Sequence, residues 1–287
     1  MATTTYKQRS QVIIIPWGRI VLHVILLLGS FIMVLPFLWM VSTSLKTSTD
    51  VLREFPPRLI PSTFMISNYS TALTSLPFDR FYFNSLLVAT SVTILQLATS
   101  SLAAYSFARL RFKGRNTLFF LYLIGLMIPF PVLLLPNFLI VRQLGWFDSY
   151  LALIVPPAFS AFSIFLLRQY YRGLPMDYDE SARIDGASSL RIWWSIILPN
   201  SRPALAALAV FTFLGTWNDF LWPLVVTNSN NMRTLPVGLS MFQGQYTVRW
   251  ELLMAASVVA LIPVLIVYFF AQNWIIKGLS VSSGLKG

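Results

Sequence analysis

Long runs without a single charge dominate this sequence. Between Arg19 and Lys46 there are 26 consecutive residues without Asp, Glu, Lys or Arg. Arg80 to Arg109 encloses 28 such residues, Arg115 to Arg142 encloses 26, Asp148 to Arg168 encloses 19 and Glu251 to Lys277 encloses 25. A helix needs about 20 apolar residues to cross the hydrocarbon core of a bilayer, so each run is long enough to span. A sixth stretch, Pro203 to Met232, is interrupted only by Asp219. Charged residues make up 11% of the chain, where an ordinary globular domain carries roughly a quarter. The expected fold class is therefore all-α, a polytopic membrane protein with six transmembrane helices.

The net charge of +11 does not call for nucleic acid. With the N-terminus inside, the inner segments hold 14 Lys and Arg and the outer segments 7, which matches the excess of basic residues in cytoplasmic loops. Both termini are then expected in the cytoplasm, and no nucleic-acid partner is needed. There is no cysteine, which removes disulfides, thiolate nucleophiles and cysteine-ligated metals. The one histidine, His23, falls in the first span without partners for a metal cluster or a triad, and is expected to make a helix hydrogen bond. No catalytic residues and no metal site are expected.

Span one is read as about Arg19 to Leu45, followed by an ordered external loop from Lys46 to Arg80 with Pro56, Pro57, Pro61 and Pro77. Span two runs from about Phe81 to Phe107 and is rich in Ala, Ser and Thr, the small residues that let membrane helices approach closely. Span three, about Thr117 to Val141, holds Pro129, Pro131 and Pro136, so a kinked or partly unwound outer half is expected. Span four is about Tyr150 to Leu167, and a cytoplasmic loop covers Arg168 to Arg202. Span five is about Pro203 to Val226, and span six covers Leu252 to Trp274 before a short tail. The expected division is 1–80, with the N-terminus, first helix and external loop, and 81–287, a core of five helices with the cytoplasmic loop and tail.

The most informative loop runs from Met176 to Leu205. Pro175 followed by Asp177, Asp179 and Glu180 reads as a helix start, with acids at the positive end of the helix dipole. The stretch Ser181 to Leu190 is expected to be a short surface helix with Gly186 inside it, stable only against a partner. Pro199 and Pro203 then break the chain before it re-enters the membrane. Glu180, Ala182, Asp185, Gly186 and Ala187, followed by Ile196, Leu198 and Pro199, resemble the EAA loop of membrane subunits of ATP-binding-cassette importers. That pattern is Glu-Ala-Ala, three residues, Gly, nine residues, Ile-x-Leu-Pro. Ser181 stands here where the family has its first alanine. Asn84-Ser85, Trp217-Asn218-Asp219-Phe220 with Trp222-Pro223-Leu224, and the Gly278 to Lys286-Gly287 tail resemble the carbohydrate branch, in particular the second membrane subunit of maltose, multiple-sugar and glycerol-phosphate importers.

The resemblance implies a type I importer permease fold in a bacterial or archaeal cytoplasmic membrane. It implies a second homologous permease subunit, two ATPase subunits that carry ATP and Mg, and an extracytoplasmic solute-binding protein. The loop residues Glu180, Ala182, Asp185, Gly186, Ala187, Leu198 and Pro199 would couple to the ATPase. The chain has no G-x-x-x-x-G-K-[ST] loop to cradle a phosphate, so it would bind no cofactor itself and would not be an enzyme. For the substrate path, Trp217, Asn218, Asp219 and Phe220 are the candidates, since an intramembrane carboxylate usually faces a cavity or a partner. Their structural alternative is a cap or interhelical bond beside Pro223. Gln96 and Asn137 read as helix-to-helix hydrogen bonds. The rival readings are a permease subunit for a non-sugar solute and an ion-coupled carrier, although Asp219 alone is clearly ionisable within a span.

Overall fold

A computed structural model describes residues 17–53, 58–244 and 248–283, with side chains for 18–51, 58–244 and 248–272. Four helices are long and apolar enough to cross a membrane, and two bent helix pairs, each counted as one span, raise the number to six. The first is α1 (Trp17–Ser44), whose apolar side chains from Ile20 to Trp39 are exposed on this chain. A helix apolar all round belongs in lipid or against another helix. His23 Nδ1 lies 2.6 Å from the Arg19 carbonyl, the intrahelical bond expected of it.

The connection to the second span folds around α2 (Ser48–Arg53) and α3 (Ser67–Thr74). Buried Asn68 donates to the Ser44 and Lys46 carbonyls at 2.9 and 2.8 Å, and Ser48 donates to Glu251 at 2.8 Å. These bonds fasten the connection to the ends of the first and last spans, as an ordered loop requires.

The second span, α4 (Phe78–Arg109), is 32 residues long, hence about 48 Å at 1.5 Å per residue. It overshoots a hydrocarbon core of about 30 Å at both ends, which carries Arg109 out toward the Met176–Leu205 loop. Ala89, Ser100, Ser101 and Ala104 on α4 are buried, and the later helices α8, α12 and α14 pack against it. The third crossing is broken more sharply than a proline kink. α5 (Arg115–Ile124) and a 3₁₀ turn at Gly125–Met127 meet α6 (Phe130–Gln143) at 105°. Ile128 is extended because the ring of Pro129 excludes helical backbone at the residue before it.

The fourth crossing is α7 (Tyr150–Ile154), a turn at Pro156–Ala158 and α8 (Ala161–Gly173). It corrects the expected boundary at Leu167, since the helix runs through Arg168 to Gly173. Arg168 remains in the helix because its guanidinium lies 3.8 Å over the Phe119 ring and its Nε donates to the Phe107 carbonyl at 3.2 Å. A long stem packed on apolar neighbours lets such a cation sit at a helix end.

The loop contains α9 (Asp177–Ile184), α10 (Ser189–Ile192), a π-helical turn at Trp193–Ile197 and α11 (Leu198–Asn200). The chain then bends by 79° into α12 (Arg202–Trp217). α12 ends at Trp217, and a separate short helix, α13 (Leu221–Val226), completes the fifth crossing. The interruption therefore lies at Asn218–Phe220, ahead of Pro223. α14 (Leu235–Ser240) and the last span, α15 (Trp250–Ser283), close the chain. The Lys286-Gly287 part of the tail lies outside the described residues.

α14 approaches α4 so closely that a Cβ on Gly238 would stand 2.2 Å from the Phe81 ring, so only glycine fits. Asn84 and Ser85 hold the same end together. Asn84 donates to the Asn231 and Arg233 carbonyls at 2.8 and 2.9 Å and accepts from Tyr150 at 2.7 Å, while Ser85 accepts the Leu235 N–H at 2.7 Å. Gln96 makes the expected helix-to-helix bond, to Ser163 at 2.5 Å.

Candidate coupling surface and translocation path

Three acids, Asp177, Asp179 and Glu180, occupy the first turn of α9, where the helix dipole favours them. The helix ends at Ile184, and Gly186 lies beyond it with φ +77. The Gly186 N–H donates to Arg183 at 3.0 Å and the Ala187 N–H to Ala182 at 2.9 Å. This is a Schellman ending, in which a glycine adopts the left-handed conformation that other residues resist. The expectation of one helix from Ser181 to Leu190 with Gly186 inside it is corrected accordingly: Gly186 stops the helix, and a Cβ there would meet nothing within 4 Å in this chain.

A second start follows at once. Ser188 caps α10 by accepting the Arg191 N–H at 3.4 Å. The π turn, with Leu198 N–H bonded to the Trp193 carbonyl, comes just ahead of Pro199, which has no N–H to give. Side chains take up the carbonyls there: Asn200 donates to Ile196 at 2.7 Å and Ser201 to Ile197 at 2.6 Å. Pro199 thus sits in a segment whose backbone is satisfied by neighbours, ahead of the 79° turn into the membrane.

The inner face of the loop is locked to the spans. Ala182 is buried in a cluster with Tyr105, Leu167, Tyr171, Ile192 and Trp193. Trp193 Nε1 donates to Ser101 Oγ at 2.9 Å, and Ser101 Oγ lies 2.7 Å from the Tyr171 hydroxyl, so one buried chain of hydrogen bonds joins loop, α4 and α8. Arg109, the last residue of α4, donates to the Tyr171 and Leu174 carbonyls at 2.5 and 2.7 Å and pairs with Asp179 at 3.2 Å. The outer face is free in this chain. Glu180, Asp185 and Pro199 are exposed, Ala187 and Leu198 half-buried, and Ile184 is 87% exposed beside exposed Tyr178, Leu190 and Trp194.

Sequence reasoning did not single out Arg109, Ser101, Tyr171 or Trp193. Arg109 reads as one more basic residue of a short turn, and only its place at the end of the overlong α4 turns it toward the loop.

The path candidates separate into two kinds. Trp217 is 3% exposed, stacked on Phe213 with centroids 5.9 Å apart and edge-on to Tyr82 at 5.6 Å. Asn218 is exposed, bonds back to the Leu214 carbonyl at 2.8 Å and lines a cavity of about 210 Å³ with Trp217, Leu239, Ser257 and Val264. Asp219 accepts the Trp222 N–H at 3.4 Å, closing the start of α13, and Phe220 is 40% exposed. The break in the fifth crossing therefore brings Asn218 and Phe220 to a surface while Trp217 anchors the helix end in the core.

These features define a class: a polytopic helical membrane protein whose Met176–Leu205 loop is fastened to the end of its second span and leaves an apolar and acidic outer face uncovered. Residues 96–281 match the family of the binding-protein-dependent transport system inner membrane component. The chain is 39% identical over 260 residues to the arabinooligosaccharides transport system permease protein AraQ of Halalkalibacterium halodurans, covering 90% of this chain and 93% of that one. It is 34% identical over 273 residues to the sn-glycerol-3-phosphate transport system permease protein UgpE of Agrobacterium fabrum, covering 92% and 96%. Its fold is similar to a chain of a bacterial ABC transporter involved in the import of the acidic polysaccharide alginate, with a TM-score of 0.81 and 24% identity over 95% of this chain and 100% of that one. The chain belongs to the binding-protein-dependent transport system inner membrane component family, as a multi-pass permease subunit of an ABC importer.

Proposed function

We propose that this chain is one of two homologous permease subunits that move a carbohydrate or related polyol or glycerol-phosphate solute, delivered by an extracytoplasmic solute-binding protein. Two ATPase subunits, which hold ATP and Mg, seat on the outer face of the Met176–Leu205 loop. Residues 1–80 form a peripheral unit and 81–287 the transport core. The loop end and both termini are cytoplasmic, in a bacterial or archaeal inner membrane.

Support comes foremost from the two-faced loop: Ala182 and Asp179 are buried against α4 and α8, while Glu180 and Ile184 are exposed. A partner's motion applied to that outer face passes into the spans through packed side chains rather than a flexible linker. The solute class is supported by the relatives, whose names give arabinooligosaccharides and sn-glycerol-3-phosphate.

Glu180→Lys and Ile184→Asp test the seating directly. Both sites are exposed, so expression and membrane insertion are expected to survive. Co-purification of the ATPase chain and uptake of labelled oligosaccharide by cells carrying the full transporter should both fall by about tenfold or more, since a charge buried at an interface without a partner is costly. Normal ATPase retention by both variants would refute the seating. Reporter fusions after Gly114 and Gly173 reading external would refute the orientation.

A further inference from the structure

Three arginines converge on one cavity at the loop end of the bundle, and among the described residues no carboxylate pairs with them. The cavity, about 390 Å³, lies between the end of α4, the start of α5 and the end of α8, and is lined by Arg115, Arg168 and Arg172 together with Phe119, Phe120 and Leu123. Arg168 is only 9% exposed, yet its guanidinium has one hydrogen bond, from Nε to Phe107, and an aromatic face at Phe119. Arg115 spends one N–H on the Leu110 carbonyl at 3.0 Å, and the charges of Arg172 and Arg115 both bear on Arg168. A guanidinium carries five N–H donors, so most of the donors here have no acceptor among the described residues. Among the described residues the ion pairs are Arg109 with Asp179 and Arg249 with Glu251, and none reaches this cavity.

Like charges gathered around a partly desolvated cavity need a counter-anion, and planar guanidinium forks match phosphate oxygens better than any other common anion apart from carboxylate. The surroundings choose the source of the phosphate. Phe120 and Leu123 continue the cavity wall along α5, and Phe120 is an exposed apolar side chain. Basic groups at the mouth and apolar groups along the span are the arrangement expected of a headgroup with its acyl chain alongside, and basic pockets between spans on the cytoplasmic side are known to hold anionic headgroups.

We propose that this cavity binds the phosphate of an anionic phospholipid from the cytoplasmic leaflet, with Arg168 and Arg172 as the principal donors and the acyl chain along Phe120 and Leu123. The leaflet follows from the orientation proposed above. The fusion reporters test that orientation separately, and failure of lipid binding leaves it untouched.

The test is retention of added lipid by the full-length chain after delipidation in detergent, read by native mass spectrometry with phosphatidylglycerol and phosphatidylcholine of the same acyl length. Phosphatidylglycerol should be held more tightly than phosphatidylcholine, and Arg168→Gln and Arg172→Gln should each lower that preference roughly fivefold, the contribution expected of one basic side chain near an anionic lipid. Arg172 is exposed and makes no side-chain hydrogen bond among the described residues, so its variant remains informative if Arg168→Gln does not fold. Arg202→Gln, an exposed arginine at the head of α12, controls for net charge and should leave the preference intact. Equal retention of the two lipids, or an unchanged preference in the arginine variants, overturns the proposal. Complete displacement of phosphatidylglycerol by millimolar inorganic phosphate also overturns it and assigns the cavity to a free anion.

Discussion

Arg109 Nη1 stands 3.2 Å from the Asp179 carboxylate, with the two side chains 1% and 2% exposed. They lie 70 positions apart, one ending the 32-residue α4 and the other in the first turn of α9. Among the described residues Asp179 accepts no side-chain hydrogen bond and pairs with Arg109 alone, whereas Arg109 also holds two carbonyls. A pair of this kind contributes little net stability but is expensive to halve.

Arg109→Met and Asp179→Leu should each destabilise the chain by about 3 to 5 kcal/mol, because each strands a buried charge. The double variant should recover much of that loss, with Arg109→Met the worse single change since it also frees the Tyr171 and Leu174 carbonyls. Thermal melting in detergent reads the stability. Uptake reads whether the loop still moves with α4: if the double variant regains stability but not transport, the pair serves coupling as well as folding. Additive losses in the double variant would count against any direct interaction.

The Schellman ending makes a prediction that separates conformation from bulk. At φ +77 an alanine at Gly186 is strained by about 1 to 2 kcal/mol, whereas asparagine tolerates the left-handed region. Gly186→Asn should therefore melt closer to the parent protein than Gly186→Ala does. If the outer face must also admit a partner backbone, Gly186→Asn will lose ATPase co-purification despite its stability, because the added atoms point away from this chain. Full ATPase binding by Gly186→Asn would leave Gly186 with a backbone role alone.

The run of six crossings is legible because lipid imposes one strong rule on composition, and Pro129, Pro131 and Pro136 mark the broken third span in the sequence itself. The acids of the first turn of α9 were likewise legible from the dipole rule. What escaped were contacts set by tertiary geometry. Nothing in the spacing distinguishes Arg168, which stays helical through a ring and a carbonyl from other elements, from a loop arginine. Gly186 was misread because a short helix followed by another short helix has the same composition as one longer helix, and only the backbone bonds at Arg183 and Ala182 separate them. The break at Asn218–Phe220 within the fifth span escapes the sequence, since a proline is visible at Pro223 and an interrupted backbone is not.

At the opposite end of the bundle, Asp148 ties the α6–α7 connection to the segment after α13. Its Oδ1 accepts the Asn228 and Ser229 N–H groups at 2.9 and 3.1 Å, from a left-handed backbone with φ 57. Partial burial alone would raise its pKa, but those N–H donors, with the charge of Arg233, hold it below the usual carboxylate value. A depressed folded-state pKa contributes stability that is complete above the unfolded value, about 3.9, and is lost as pH falls through the folded one. Asp148→Asn keeps a residue suited to the left-handed backbone and removes the charge. The parent should therefore exceed the variant by no more than about 1 kcal/mol, given solvent screening, with the gap constant from pH 5 to 8 and closing below about pH 4. A gap that widens in acid would contradict the assignment.

The substrate path can be probed because the chain has no native cysteine. Asn218 and Phe220 reach a surface on either side of Asp219, while Trp217 is sealed into the core. A carboxylate within a span costs roughly 3 kcal/mol on insertion scales, and Asp219 offsets part of that by accepting the Trp222 N–H. Water reaching the break at Asn218 would relieve the rest. Asn218→Cys and Phe220→Cys in the assembled transporter should therefore react with a small membrane-impermeant thiol reagent, whereas Ala256→Cys, at a buried position of α15, should not. Solute-loaded binding protein should change the rate at Asn218→Cys if the cavity of about 210 Å³ beside it opens to the path during the cycle. Asp219→Ala should act differently, loosening the start of α13 and lowering stability by about 1 kcal/mol as loss of a helix cap does. If Asn218→Cys stays unlabelled with and without solute while Phe220→Cys reacts, then the cavity is a closed packing gap between α12, α14 and α15, and the solute passes on the Phe220 side of the break.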